Sequence, residues 1–361
     1  MIDCDVHQNF ASMAELFPYL PEVHREQIVH GGYGGLSFPH YPWVHPEGFM
    51  RRDAVPPSGG VPGSDYETLR RQLLDAYAID YAILTGEEIL TASAMASPQL
   101  AAAICSAYND WLIEHWLPRD PRLKGSVAVA TQDPARAAAE IRRVGGHPDI
   151  VQVLLPSGAR AGYGHPQFDP IYQAATDLGL VVGIHVGADG CGVLGAPTAT
   201  GWPVYYLEYH TLLCGSMMAH LTSLICHGTF ERFPRLRVVL IEGGVCWLPG
   251  LLWRLDANYK ALRMEVPWLK RLPSEYVREH VRLTTQPLER PLRTQDLRAV
   301  LEAIGLDLLL FATDYPHWDF DNPGYLPLHG DDAARVFDRN ARLWYCLPQS
   351  VAPAVPAGMA R

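Results

Sequence analysis

The chain alternates, eight times over, between a short and nearly continuous apolar run and a longer amphipathic stretch. Apolar runs fall at 1–7, 81–84, 125–130, 150–155, 181–185, 238–241, 281–284 and 308–312, and helix-period patterns at 66–78, 98–116, 134–144, 170–177, 209–230, 247–263, 295–304 and 332–345. Strands that are apolar on both faces and separated by helices belong to a parallel sheet covered on both sides. Eight such units without a break in composition predict one (β/α)8 TIM barrel over 1–347, followed by a flexible tail at 348–361 rich in Ala and Pro. The rival, a doubly wound open sheet, would want a Gly-rich phosphate turn after an early strand, and no G-x-G-x-x-G opens a helix here.

One region breaks the rhythm. Between about residues 9 and 64 lie Gly31-Gly32-Tyr33-Gly34-Gly35, His40-Tyr41-Pro42-Trp43-Val44-His45 and Pro56-Pro57-Ser58-Gly59-Gly60. Such Gly/Pro density predicts an irregular insertion after the first strand, lying as a lid over the site. Tyr33, Tyr41 and Trp43, with His30, His40 and His45, would line a pocket for a flat substrate or simply pin a surface loop, and Tyr315 and Trp318 add bulk nearby. Arg51 or Arg52 could hold a substrate carboxylate or serve only as exposed charge.

Composition removes several function classes. A net charge of -10, from 29 basic and 39 acidic residues without a basic run interleaved with aromatics, argues against nucleic acid as a partner. No apolar run approaches the roughly 18–20 residues that span a bilayer, and no leader pattern precedes the first strand, so a membrane partner is not expected and the cytoplasm is the default location. The seven cysteines form no C-x-x-C pair and sit mostly in apolar segments, as reduced core thiols do.

Catalytic groups of such barrels collect at the C-terminal ends of strands. Here the first strand ends in Asp5 and His7, the fifth in His185, the sixth in Glu242 before Gly243-Gly244, and the eighth in Thr313-Asp314-Tyr315-Pro316-His317. Each has an ordinary explanation alone: a core histidine, a turn-forming Asp, a Glu paired with Arg254 or Arg282. A single divalent cation accounts for all of them together, because carboxylates and imidazoles present lone pairs to one point.

Asp5-x-His7, Val182-Gly183-Ile184-His185, Gly228-Thr229-Phe230-Glu231-Arg232-Phe233-Pro234 leading into 238–244, and Phe311-Ala312-Thr313-Asp314-Tyr315-Pro316-His317 resemble the amidohydrolase-related branch of the amidohydrolase superfamily. This is the branch of aminocarboxymuconate-semialdehyde decarboxylase and the hydroxybenzoate decarboxylases, and the resemblance runs over nearly the whole chain. It implies a distorted barrel, a mononuclear site holding Zn2+ or sometimes Mn2+ on Asp5, His7, His185 and Asp314, and a homodimer or higher homo-oligomer. In the decarboxylases of the branch the sixth strand leads to a histidine, whereas this chain has Glu242, which could serve as general base or as an additional ligand. His210, in Glu208-Tyr209-His210-Thr211, is the candidate for the displaced acid–base group, while His227 lies at the far end of its helix.

The expected chemistry is hydrolysis of a C–N or C–O bond in a small aromatic substrate by metal-activated water, with Asp314 as ligand and proton shuttle and Glu242 or His210 protonating the leaving group. Non-oxidative decarboxylation of an aromatic or unsaturated acid, and a metal-assisted condensation that closes a heterocycle, use the same machinery. Outside enzymology, a binding scaffold would have no reason to keep every proposed ligand.

Overall fold

The computed structural model describes residues 1–31, 49–57 and 59–349. Eight parallel strands, β1 (Ile2–Val6), β2 (Tyr81–Leu84), β3 (Leu123–Ala128), β4 (Ile150–Pro156), β5 (Val181–His185), β6 (Val238–Ile241), β7 (Val281–Thr284) and β8 (Leu309–Leu310), pair in sequence order. The chain beyond β8 then returns to β1: Cys4 N donates to Phe311 O (2.9 Å), Asp314 N to Asp5 O (3.2 Å) and His7 N to Tyr315 O (2.7 Å). The sheet is thus wound into the expected (β/α)8 barrel, and its last and first strands meet at a seam.

Two apolar layers follow from the strand alternation. Ile2 and Cys4 cluster with Tyr81, Ile83, Val181, Val239, Ile241 and Leu310, from strands on opposite sides of the sheet, which can meet only inside the barrel. Trp344, at the end of the last helix (Asn340–Trp344), and Tyr345 and Leu347 just beyond it join them and close that end. Val6, Leu84, Val153, Leu155, Val182, Leu240 and Leu283 belong instead to the outer layer, with the surrounding helices. Strict alternation over 1–7 would put Ile2, Cys4 and Val6 on one face. The β1–β2 register shifts between Asp3 and Val6, so Val6 turns outward while Ile2 and Cys4 stay inside.

Most predicted elements are present, with local departures. The third strand begins two residues early, the eighth has only Leu309–Leu310, and the helix Pro273–His280 was not foreseen. The helical run expected at 209–230 is three pieces, Tyr206–Leu212, Cys214–Cys226 and Thr229–Arg232. Gly228 separates the last two at φ +67°, and a Cβ there would meet Trp268 Cδ1 at 2.5 Å. The helices that begin at Tyr66, Pro98 and Gly330 each pass into a π-helical turn, at Arg70–Leu74, Leu112–Trp116 and Arg335–Arg339.

The insertion needs a correction. Its first half is regular: a 3-10 helix at Met13–Tyr19 and an α-helix at Glu22–His30 bury Leu16 and Ile28, and Phe10 packs edge-on against Trp111. Pro21 caps the second of these helices and only precedes its first turn, where its missing N–H costs nothing. His30 lies on the surface beside Glu26. Tyr33, His40, Tyr41, Trp43 and His45, which carried the lid reading, fall outside the described residues, as does the tail from 350. Among the described residues no helix is long and apolar enough to cross a membrane.

Asp3 stitches the seam. Its carboxylate is fully buried and accepts from Thr313 N (3.0 Å), Thr313 Oγ1 (2.6 Å) and Asp5 N (3.3 Å). Burial outweighs these donors and pushes its pKa from 3.8 up to about 7. The folded state therefore binds more protons than the unfolded one between these values, and this group's contribution to stability declines as pH rises from about 4 to about 7. Asp3→Asn carries no such proton and should flatten the decline by up to about 1.4 kcal/mol per pH unit, read by urea unfolding of the metal-free protein across that window.

Candidate active site

Every chemistry-bearing side chain enters from a strand's C-terminal end. β1 delivers Asp5 and His7, the turn after β2 Thr85-Gly86-Glu87, β5 His185, β6 Glu242, β7 Gln286, and the segment after β8 Asp314 and His317. Asp5 Oδ1 lies 3.2 Å from His185 Nε2 and 3.5 Å from His7 Nε2, and Thr85 Oγ1 donates to it at 2.6 Å. His7 Nε2 is 2.9 Å from Asp314 Oδ1, and His185 Nε2 is 3.5 Å from Glu242 Oε2. The ligand atoms of Asp5, His7, His185 and Glu242 thereby lie within 4.8 Å of one another, and Asp314 gathers with His7 and His317 in a second group that shares His7.

The other ring nitrogens are occupied. His7 Nδ1 contacts the Gly86 carbonyl and lies 3.1 Å from Glu87 Oε2, while His185 Nδ1 faces the Val186 carbonyl. Both imidazoles therefore turn Nε2 toward the shared point. His7 Nε2 and Asp5 Oδ2 are buried without a hydrogen-bond partner. Carboxylate oxygens and imidazole nitrogens crowded together in a buried site, with hydrogen-bonding capacity left unused, are a donor set that fits a divalent cation. The backbone is strained at two of these positions, with φ +59° at Glu242 and φ +61° at Asp314.

Electrostatics divides the carboxylates. Burial works against ionised Asp5 and Glu87, but the imidazoles of His185 and His7 hold Asp5 low, and those of His317 and His7 hold Glu87 low. Burial pushes the Glu242 carboxyl well above the ordinary range, and the neighbouring Asp314 adds to the shift. The His7 ring is disfavoured as a cation by burial, yet Asp5 and the adjoining Asp314 and Glu87 raise it well above the usual histidine value. A divalent ion would supply the positive charge that imidazolium groups supply here.

Above the cluster opens a pocket with about 580 Å3 of empty space reaching out to solvent. Phe49 stacks on Tyr206 with ring centroids 4.6 Å apart, and Trp318 and Leu213 extend this apolar wall over a floor of His7, His185, Glu242 and His317. No Lys or Arg is among the lining residues described. His210 does reach the pocket, its Nε2 3.3 Å from Asp319 Oδ2. Asp319 also accepts from Gln286 Nε2 (3.1 Å), which donates to Asp314 Oδ2 as well (2.9 Å). Trp318 takes its expected place, whereas Tyr315 is buried and directs its hydroxyl to Gln72, and Arg51 pairs with Asp53 away from the pocket. Glu87, Gln286 and Asp319 were not foreseen. His317 stood in a recognised motif without a role, and here its Nδ1 lies 2.6 Å from Asp314 Oδ1.

The amidohydrolase family profile matches residues 2–346. The chain is 27% identical over 270 residues to gamma-resorcylate decarboxylase of a Rhizobium species, an alignment covering 72% of this chain and 79% of the relative. A dihydroxybenzoic acid decarboxylase from a Polaromonas species, solved with bound manganese and the inhibitor 2-nitroresorcinol, superimposes with a TM-score of 0.68 at 21% identity, over 97% of this chain and 98% of that one. The 5-carboxyvanillate decarboxylase of Sphingomonas paucimobilis gives a TM-score of 0.66 at 22% identity, over 96% and 99%. At identities this low the superpositions establish a shared fold alone.

The orientation of His7 depends on the Gly86 carbonyl, and Gly86 holds φ +66° where a Cβ would sit 2.6 Å from Tyr108 Oη and 2.7 Å from Ile89 Cγ2. Gly86→Ala should therefore destabilise the protein by about 1–3 kcal/mol, measured by urea unfolding.

Proposed function

The chain belongs to the amidohydrolase family of metal-dependent hydrolases and decarboxylases, and from that premise we propose that it decarboxylates a small hydroxylated aromatic acid, using one divalent metal ion. The observation that carries the reading is the cluster of Asp5, His7, His185 and Glu242, whose ligand atoms lie within 4.8 Å of one another and to which Asp314 is joined through His7, beneath a pocket walled by Phe49, Tyr206 and Trp318. The curated relatives, decarboxylases of gamma-resorcylate, favour this chemistry over the hydrolysis expected from sequence alone. The all-N/O donor set suits both Zn2+ and Mn2+, and the manganese of the neighbouring structure favours the latter.

Asp5, His7, His185 and Asp314 would hold the ion. When bound, it supplies the positive charge that orients a carboxylate and an adjacent ring oxygen, in a pocket whose described lining has no Lys or Arg. The aromatic wall fixes the plane of the ring and excludes water from one face. Glu242, its carboxyl pushed toward the neutral form by burial, would deliver a proton to the ring carbon that carries the carboxylate. The carbon–carbon bond then breaks, its electron pair restores the aromatic ring, and carbon dioxide leaves. His210, braced by Asp319, stands on the pocket wall to guide a ring hydroxyl. Gln286 steadies Asp314 and Asp319 together.

The test is turnover of ortho-hydroxylated benzoates by Mn2+- and Zn2+-loaded protein in D2O. The expected result is carbon dioxide release with one deuterium at the vacated ring carbon, and cleavage of amides or esters without carbon dioxide would overturn the proposal. Glu242→Gln should lower kcat by about 10²–10⁴-fold while the protein keeps its metal, as loss of a general acid does. Metal binding should raise the unfolding free energy by about 2.7 kcal/mol at a hundredfold excess over Kd. Asp314→Asn should diminish that stabilisation and abolish turnover.

A further inference from the structure

Glu87 has no place in the chemistry above, yet it is only 8% exposed and touches two of the site's imidazoles with one oxygen. Its Oε2 lies 3.1 Å from His7 Nδ1 and 3.3 Å from His317 Nε2. The two rings stand edge to face, with centroids 4.5 Å apart at 87°, which lets a single oxygen meet both edges. No Lys or Arg among the described residues forms an ion pair with it, so the imidazoles are its compensation for burial. His317 passes the contact on, since its other nitrogen lies 2.6 Å from Asp314 Oδ1. His7 Nε2 in turn lies 2.9 Å from that same Asp314 oxygen, and the circuit His7, Glu87, His317, Asp314 closes on itself.

We propose that Glu87 is the positioning residue of the metal centre: from the turn after β2 it clamps His7 and His317, and so locks His7 directly and Asp314 through His317, from opposite sides of the barrel seam. The proposal rests on the metal-site reading above but not on the reaction assigned to it. The physical reason is tautomeric. His7 can present an Nε2 lone pair to a cation only while its proton stays on Nδ1, and an acceptor at Nδ1 enforces that state and the ring's orientation. The Gly86 carbonyl provides one acceptor for His7, and Glu87 provides a charged one that it shares with His317. Because both of its nitrogens face carboxylates, His317 is bound into the framework as a strut behind Asp314 and is poorly placed to exchange protons with a substrate.

The experiment is competition for Mn2+ and Zn2+ between a fluorescent chelator and the full-length protein, wild type against Glu87→Gln, Glu87→Leu and Glu88→Gln, with thermal unfolding of each metal-free protein as the folding check. Glu87→Gln keeps an acceptor oxygen and loses the charge, and should weaken metal binding about tenfold. Glu87→Leu loses both and should weaken it about a hundredfold. Glu88→Gln removes a neighbouring half-buried carboxyl that touches neither histidine, and should leave the affinity unchanged. Affinities of both Glu87 variants within about twofold of wild type would overturn the proposal, as would a loss that Glu88→Gln reproduces or that follows the unfolding temperature of the metal-free proteins. If wild type binds metal but releases no carbon dioxide from any acid, the decarboxylase reading falls and the role of Glu87 stands. If wild type binds no divalent ion, both fall.

Discussion

The structure depends on the seam where the end of the chain's last strand is laid against its first. Three backbone hydrogen bonds, Cys4 N to Phe311 O, Asp314 N to Asp5 O and His7 N to Tyr315 O, turn an eight-stranded sheet into a barrel. They also set Asp5 and His7 beside Asp314, more than 300 residues away in sequence. The side chain of Asp3 reinforces the same joint through both donors of Thr313. Architecture and site are thus one construction: opening the seam would remove the barrel's closure and separate half of the converging donors.

The site is costly to the fold that carries it. Buried carboxylates and imidazoles crowd together, two inward atoms lack partners, and Glu242 and Asp314 take left-handed backbone conformations worth about 1–3 kcal/mol each. Thr284 Oγ1 accepts from Glu242 N, Gln286 holds Asp314, and Thr85 holds Asp5, so the surroundings over-determine the strained positions. Such an arrangement has no evident benefit for stability and a plain benefit for binding a small, highly charged cation. The same crowding explains the division of labour among the carboxyl groups. The imidazoles around Asp5 and Glu87 hold both low, while burial, with Asp314 beside it, drives Glu242 toward its neutral form.

Family membership and the departure at Glu242 belong to one picture. Barrels with little sequence identity share the strand ends that gather the donors, and the loops beyond them are free to vary. Here the helix Tyr206–Leu212 brings Tyr206, Tyr209 and His210 to the pocket wall, opposite the segment of Phe49 and beside Trp318. The clustered donors sit on strand ends and the contacts that shape the pocket sit on connections, so identity of fold leaves the choice of substrate open.

The sequence by itself determined the barrel and the donors at its strand ends. Short runs apolar on both faces have few alternatives to a covered parallel sheet, and Asp5, His7, His185, Glu242 and Asp314 follow such runs directly. It did not reveal the helices at Met13–Tyr19 and Glu22–His30, because prolines mark breaks and caps alike, nor the twist of β1 that sends Val6 outward. Glu87 was equally invisible: Glu87 and Glu88 are the same residue type side by side in one loop, and only packing decides that the first is wedged between His7 and His317. Gln286 and Asp319 matter through each other and through Asp314 and His210. Periodicity records which face of a segment is buried, while partnership between distant side chains is settled by closure of the barrel, and that information is absent from any single stretch of the chain.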